Sequence, residues 1–128
     1  MTTPTELTRA LTSYVATADL PAPVVAGQRV LDLVLADLWV TSSTEQQVGA
    51  DLTARSEKGL WKYGQYLHTQ DGRPPLVDAY QEALDLLMYV AKDKANGHVD
   101  ETLYSEVWHV VKVLRRLLNE REEDCHVS

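Results

Sequence analysis

The sequence has too few cysteines and histidines to predict a disulfide framework or a zinc site. Its single cysteine, Cys125, has no partner within the chain. The four histidines are scattered, and no two of them stand four residues apart, the spacing of paired zinc ligands on a helix. Nucleophilic catalysis by Cys125 is also disfavoured, because its acidic surroundings would raise the pKa of the thiol. With no signal-peptide pattern at the N-terminus, these features favour a reducing cytoplasm.

Long apolar runs and an excess of positive charge are missing as well. No eighteen consecutive residues are apolar, so the sequence predicts no membrane span. The net charge of −7 argues against non-specific binding to nucleic acid, which requires a basic surface. An acidic protein can still bind a nucleotide if cations are gathered locally or if a metal ion bridges the charges.

The remaining pattern is helical. The 128 residues suit one domain, and 45% of them are apolar, enough for a packed core. Apolar residues recur at helical spacing in most of the chain, and no convincing strand pair is present. We predict an all-α domain of four or five helices. The predicted segments are an N-terminal helix within residues 1–20, a largely buried helix over 24–40, helices over 44–60, 75–92 and 100–120, and a frayed acidic tail over 120–128. The β-branched content of residues 24–40 also allows a strand, but the length of the apolar run favours a helix.

The helix predicted over residues 75–92 carries the most informative polar pattern. Asp78, Glu82 and Asp85 follow one another at i, i+4 and i+7, which places them within roughly 60° of the helix circumference. Like charges at this spacing repel one another, so a positive group is expected opposite them. Two readings stay open: a Mg²⁺ ion held by Glu82 and Asp85, or a salt-bridge seam with Arg55 and Lys58 of the preceding helix.

The middle of the chain also concentrates positive charge and aromatic rings. Cations that can neutralise phosphate and rings that can stack on a base are what a nucleotide site needs. The alternative is that the rings belong to the core and the cations are solvated. The cationic residues are Arg55, Lys58, Lys62 and Arg73, and the aromatic ones are Trp61, Tyr63 and Tyr66.

These motifs resemble a known family. Residues 82–89, EALDLLMY, look like the second metal-binding helix of the MazG-like, all-α nucleoside triphosphate pyrophosphohydrolases, which carries E-x-x-D followed by apolar residues and an aromatic. The upstream pattern R-x-x-x-G-x-x-K-Y-G over residues 55–64, followed by D-G-R at 71–73, resembles small phage and actinobacterial proteins placed near that group. The resemblance covers residues 48–92.

The resemblance implies an oligomer, a dimer or tetramer, that uses Mg²⁺ or Mn²⁺ to cleave a nucleoside triphosphate to the monophosphate and pyrophosphate. Glu82 and Asp85 take the E-x-x-D positions, and Tyr89 takes the aromatic position. The family's first motif, E-E-x-x-E, is not intact here, because Glu45 and Asp51 are six residues apart. Asp51 or Asp78 would therefore have to supply a further metal ligand.

This departure keeps a second function open. A helical protein that retains the scaffold without the chemistry would act as a non-catalytic interaction or accessory protein. In the catalytic reading, the carboxylates hold the metal, Tyr63 or Trp61 contacts the base, and the phosphates are neutralised by Arg55, Lys58, Lys62 or Arg73.

Overall fold

The computed structural model describes residues 14–127. Within this range the chain forms five α-helices and no β-strand, which confirms the predicted all-α class. The predicted start of the first helix, at Thr3, lies outside the described residues. The helices are α1 (Tyr14–Thr17), α2 (Val30–Asp37), α3 (Ser43–Tyr63), α4 (Pro75–Ala95) and α5 (Glu101–Val127).

The chain divides into two compact units. One unit is Leu20–Arg73, which contains α2 and α3, and the other contains α1, α4 and α5. Each unit is built by contacts between its own helices: α2 packs on α3 in the first, and α4 packs on both α1 and α5 in the second.

The core of the second unit lies between α4 and α5. Tyr80 and Ala83 of α4 and Val111 and Leu118 of α5 are buried together. Burial of side chains such as Val111 and Leu118 contributes roughly 1.5–3 kcal/mol each. The side-chain amide of Gln81 also donates hydrogen bonds to two backbone carbonyls, that of Val15 within α1 and that of Ala18 just after it.

Local signals in the sequence set the ends of the long helices. Ser42 caps α3 by accepting a hydrogen bond from the Thr44 N–H, and Gly64 ends it in a left-handed conformation with φ of 78°. Pro75 occupies the first turn of α4, as predicted. Asp100 caps α5 by accepting a hydrogen bond from the Thr102 N–H at 3.0 Å, also as predicted. Helix α5 extends to Val127, beyond the predicted end near Glu120.

The prediction of a largely buried helix over residues 24–40 is wrong in two respects. Only Val30–Asp37 is helical, and none of its residues is buried. Residues 24–30 instead run antiparallel to residues 67–71, joined by four backbone hydrogen bonds of 2.9–3.0 Å. Pro21 and Pro23 disfavour helix just before this segment, Gly27 adopts a φ of 82° within it, and its β-branched valines suit extended backbone.

Candidate functional site

The acidic stripe predicted on α4 lies opposite the core. One side of the helix carries the buried residues Tyr80, Ala83 and Val90, whereas Glu82 and Asp85 are exposed on the other side. Neither of these two carboxylates makes a hydrogen bond or an ion pair with another described residue. Residues three apart on a helix have their Cβ atoms about 5–6 Å from one another, so both side chains can reach one small cation. Tyr89, 70% exposed, continues the same stripe one turn later.

The third predicted member of the stripe differs from the other two. Asp78 is half-buried and is engaged with a neighbouring group. Among the residues that the structure describes, no three histidine, cysteine, aspartate or glutamate side chains converge as a metal-binding group. Mg²⁺ commonly takes one or two carboxylates and completes its shell with waters and substrate phosphates. Glu82 and Asp85 fit an open site of that type.

Three of the four cationic residues predicted for a nucleotide site form a basic stripe on α3. Arg55, Lys58 and Lys62 are all exposed, and at about 100° per residue they lie within roughly 60° of the helix circumference. Trp61 is 89% exposed. The Lys62 ammonium lies 5.2 Å from the centre of the Tyr63 ring. The C-terminal half of α3 therefore presents three exposed cations and two accessible rings, of which Tyr63 lies against Lys62.

Two further predicted residues occupy different settings. Asp51 is exposed on the same side of α3 as the basic stripe. Arg73 is half-buried in the loop before α4, where its Nη1 donates a hydrogen bond to the Pro21 carbonyl at 2.8 Å and its backbone N–H donates to Asp71 Oδ1 at 3.0 Å. Part of the Arg73 guanidinium is thus committed to holding the loop.

The structure brings the predicted residues together in two groups. Asp78, Glu82, Asp85 and Tyr89 share α4, whereas Asp51 and the basic stripe share α3. These helices belong to different units. Glu82 and Asp85 have two predicted counter-charges, a metal ion or the basic residues of α3, and both stay predictions.

One polar cluster in the first unit was not predicted. The Arg29 guanidinium lies 4.8 Å from the centre of the Tyr66 ring and pairs with Asp32 at 2.7 Å. The hydrogen bond from Arg29 lowers the pKa of Asp32. His68 forms a hydrogen bond through Nδ1 with the Tyr66 carbonyl, at 2.7 Å. Because Arg29 and His68 are far apart in sequence, only knowledge of the antiparallel pairing could have placed them together.

Asp71 is the other polar feature that the sequence did not predict. It is 3% exposed, the one buried polar residue in the described part of the chain. Its Oδ1 accepts the hydrogen bond from the Arg73 N–H, and its Oδ2 has no hydrogen-bond partner among the described residues. Its backbone carbonyl accepts from the Val24 N–H at 2.9 Å. Asp71 therefore holds the segment that precedes Arg73 against the start of the unit.

Comparison with family models, curated proteins and solved structures gave no match to this chain. None of the described helices has both the length and the apolar character required to cross a membrane.

Proposed function

We propose that this protein is a Mg²⁺-dependent nucleotide pyrophosphohydrolase that converts a nucleoside triphosphate to the monophosphate and pyrophosphate. The observation that carries the proposal is the exposed pair Glu82 and Asp85 on one face of α4, with no protein partner among the described residues. The E-x-x-D resemblance gives this pair its proposed role, and Mn²⁺ would serve in place of Mg²⁺.

The proposed roles follow from the chemistry of each group. Glu82 and Asp85 hold the cation, with Asp78 or Asp51 assisting. The metal, when bound, supplies Lewis-acid activation of phosphate oxygens and of water. Arg55, Lys58, Lys62 or Arg73 would neutralise phosphate charge, and Tyr63 or Trp61 would contact the base.

The test measures Mg²⁺-dependent release of pyrophosphate from a panel of nucleoside triphosphates. We expect Glu82→Gln and Asp85→Asn each to abolish release while the circular dichroism spectrum is unchanged. Glu57→Gln, which changes an exposed carboxylate of α3 outside the motif, is the matched control and should retain activity. If the wild-type protein releases no product from any triphosphate with Mg²⁺ or Mn²⁺, the enzymatic proposal is wrong.

A second candidate function is a non-catalytic interaction protein, and one observation favours it. No hydrophobic residue of Leu20–Arg73 is buried, and Trp39 and Trp61 are 81% and 89% exposed. Large exposed rings are typical of surfaces that a partner covers. Thermal melting separates the two functions, because a ligand at 100 times its Kd stabilises the native state by about 2.7 kcal/mol. No shift with Mg²⁺ and nucleotide would favour the interaction protein.

A further inference from the structure

The packing of α2 on α3 in the first unit leaves an apolar groove with a volume of about 550 Å³. Gly49 permits a close approach at this point, because a Cβ added there would lie 3.1 Å from Leu38 Cδ2. The walls of the groove are formed by Leu35, Leu38, Val40, Gly49, Ala50 and Thr53. Glu45 and Gln46, about one turn earlier on α3, complete the lining. The Thr53 hydroxyl is engaged with the Gly49 carbonyl at 3.1 Å, so Glu45 and Gln46 supply the polar side chains that a ligand can reach. We call this cavity the α2–α3 groove.

The size of the α2–α3 groove suits a small molecule. Ligand pockets have volumes of about 300–1,000 Å³, a range that includes this groove. A stable protein–protein interface uses roughly 20–30 residues on each side, whereas eight residues line the groove. Its leucine, valine and alanine side chains favour a hydrocarbon body in the ligand, because removal of apolar surface from water is favourable.

Glu45 determines the sign of the charge that the groove accepts. Its half-buried side chain accepts a hydrogen bond from the Thr41 hydroxyl at 2.7 Å through Oε1 and one from the Ser42 hydroxyl through Oε2. The bonds from Ser42 and then Thr41 lower the pKa of Glu45, and each oxygen keeps a further lone pair. Glu45 forms no ion pair with a described residue, and residues 30–54 contain no lysine or arginine. A cationic group on the ligand would supply the missing counter-charge.

A bare metal ion takes its ligands from several oxygen atoms, and most of this lining is hydrocarbon, so the cation must be carried on an apolar group. We propose that the α2–α3 groove binds an organic ammonium ion, with its ammonium group at Glu45 and its hydrocarbon chain against Leu35 and Leu38. The ammonium N–H groups donate charge-assisted hydrogen bonds to the carboxylate. None of the residues that line the groove has a role in the hydrolase proposed above, so either proposal can fail without the other.

Titration of the wild-type chain with n-octylammonium chloride, followed by two-dimensional amide NMR, tests the site. The amide signals of Gly49, Ala50 and Thr53 should shift saturably. The shorter n-hexylammonium should bind about 15-fold more weakly, because each buried methylene is worth about fourfold in affinity. Octanoate, which carries the opposite charge on a similar chain, should bind at least about tenfold more weakly than n-octylammonium. The absence of a saturable shift with n-octylammonium would overturn the site, and equal binding of octanoate would overturn its preference for a cation.

Two substitutions test the charge and the cavity separately, with circular dichroism as the check on folding. Glu45→Gln, which can still complete the cap of α3, should weaken n-octylammonium binding at least about tenfold and change the binding of neutral n-octanol by less than about twofold. Ala50→Phe, at an exposed position of the lining, should fill the groove and abolish binding of both probes. Asp37→Asn, which changes an exposed carboxylate outside the lining, is the matched control and should bind both probes as the wild type does. Undiminished n-octylammonium binding by Glu45→Gln or by Ala50→Phe, or equal weakening by Asp37→Asn, would overturn the proposal.

Discussion

Replacing Gly27 by alanine should disrupt the antiparallel pairing of residues 24–30 with residues 67–71. Gly27 has a φ of 82°, and a Cβ added there would overlap Thr69 Oγ1 and lie 3.1 Å from the Gln70 nitrogen. Thr69 Oγ1 also accepts a hydrogen bond from the Gln28 N–H at 3.0 Å. The substitution therefore combines backbone strain with a steric clash at a hydrogen-bonded group.

The magnitude follows from these two contributions. The left-handed conformation costs an alanine roughly 1–2 kcal/mol, and loss of the Thr69 hydrogen bond costs roughly 0.5–1.5 kcal/mol. We expect Gly27→Ala to lower the free energy of unfolding by about 2–3 kcal/mol. Gly64→Ala is the matched control, because Gly64 has a φ of 78° and no atom within 4 Å of an added Cβ, so it should lose only the roughly 1–2 kcal/mol of backbone strain.

Urea denaturation followed by circular dichroism measures the overall change, and amide hydrogen exchange locates it. The N–H groups of Thr69 and Gln70 donate to carbonyls of the paired segment, so both should exchange faster in Gly27→Ala and not in Gly64→Ala. Gly27→Ala combined with Thr69→Ala removes the clashing hydroxyl, and its loss should be about 1 kcal/mol smaller than the sum of the two single losses. Equal destabilisation by Gly27→Ala and Gly64→Ala would refute this reasoning.

Two further predictions concern the helices. Ser42→Ala should destabilise α3 by about 1 kcal/mol in thermal melts, with Ser43→Ala as control, because Ser42 is the cap. Hydrogen bonds from Ser42 and then Thr41 also lower the pKa of Glu45 in the folded protein. The stability that ionised Glu45 gains from these bonds is present above the ordinary glutamate pKa and is lost as the pH falls through the lowered pKa. An effect of Ser42→Ala on stability that grew on acidification would contradict this account. Leu118→Ala should lower the free energy of unfolding by roughly 2–3 kcal/mol because Leu118 is buried. The control Leu86→Ala, at an exposed position of α4, should lower the free energy of unfolding by under about 1 kcal/mol. Similar losses of stability in both variants would contradict the assignment of Leu118 to the core.

The sequence predicted best where the signal is local. The helical spacing around Tyr80 and Ala83, the proline at position 75 and the cap at Asp100 all act within a few residues, and the structure contains each of them. The exposed placement of Glu82 and Asp85 likewise follows from their position opposite the apolar face of α4.

It failed where the structure depends on partners distant in sequence. The helical apolar spacing from Val30 to Leu38 led to a predicted helix that also included residues 24–29, but backbone groups of residues 24–30 bond to a segment about 40 residues later. The cluster of Arg29, Tyr66 and His68 exists only because of this pairing. The burial of Asp71, which lies between the helices predicted over 44–60 and 75–92, was missed for the same reason.

The pairing of residues 24–30 with 67–71 also determines how the first unit is attached to the rest of the chain. Its two ends lie side by side, because Val24 bonds to Asp71 and Arg73 bonds to Pro21. A segment of more than fifty residues, Leu20–Arg73, is therefore inserted between α1 and α4 through neighbouring points. Once the contacts within the unit have joined its two ends, the length of the chain between α1 and α4 adds no further entropy cost to their packing. A short linker from Asp19 to Pro74 could replace the whole unit while leaving the α1–α4 contact within reach.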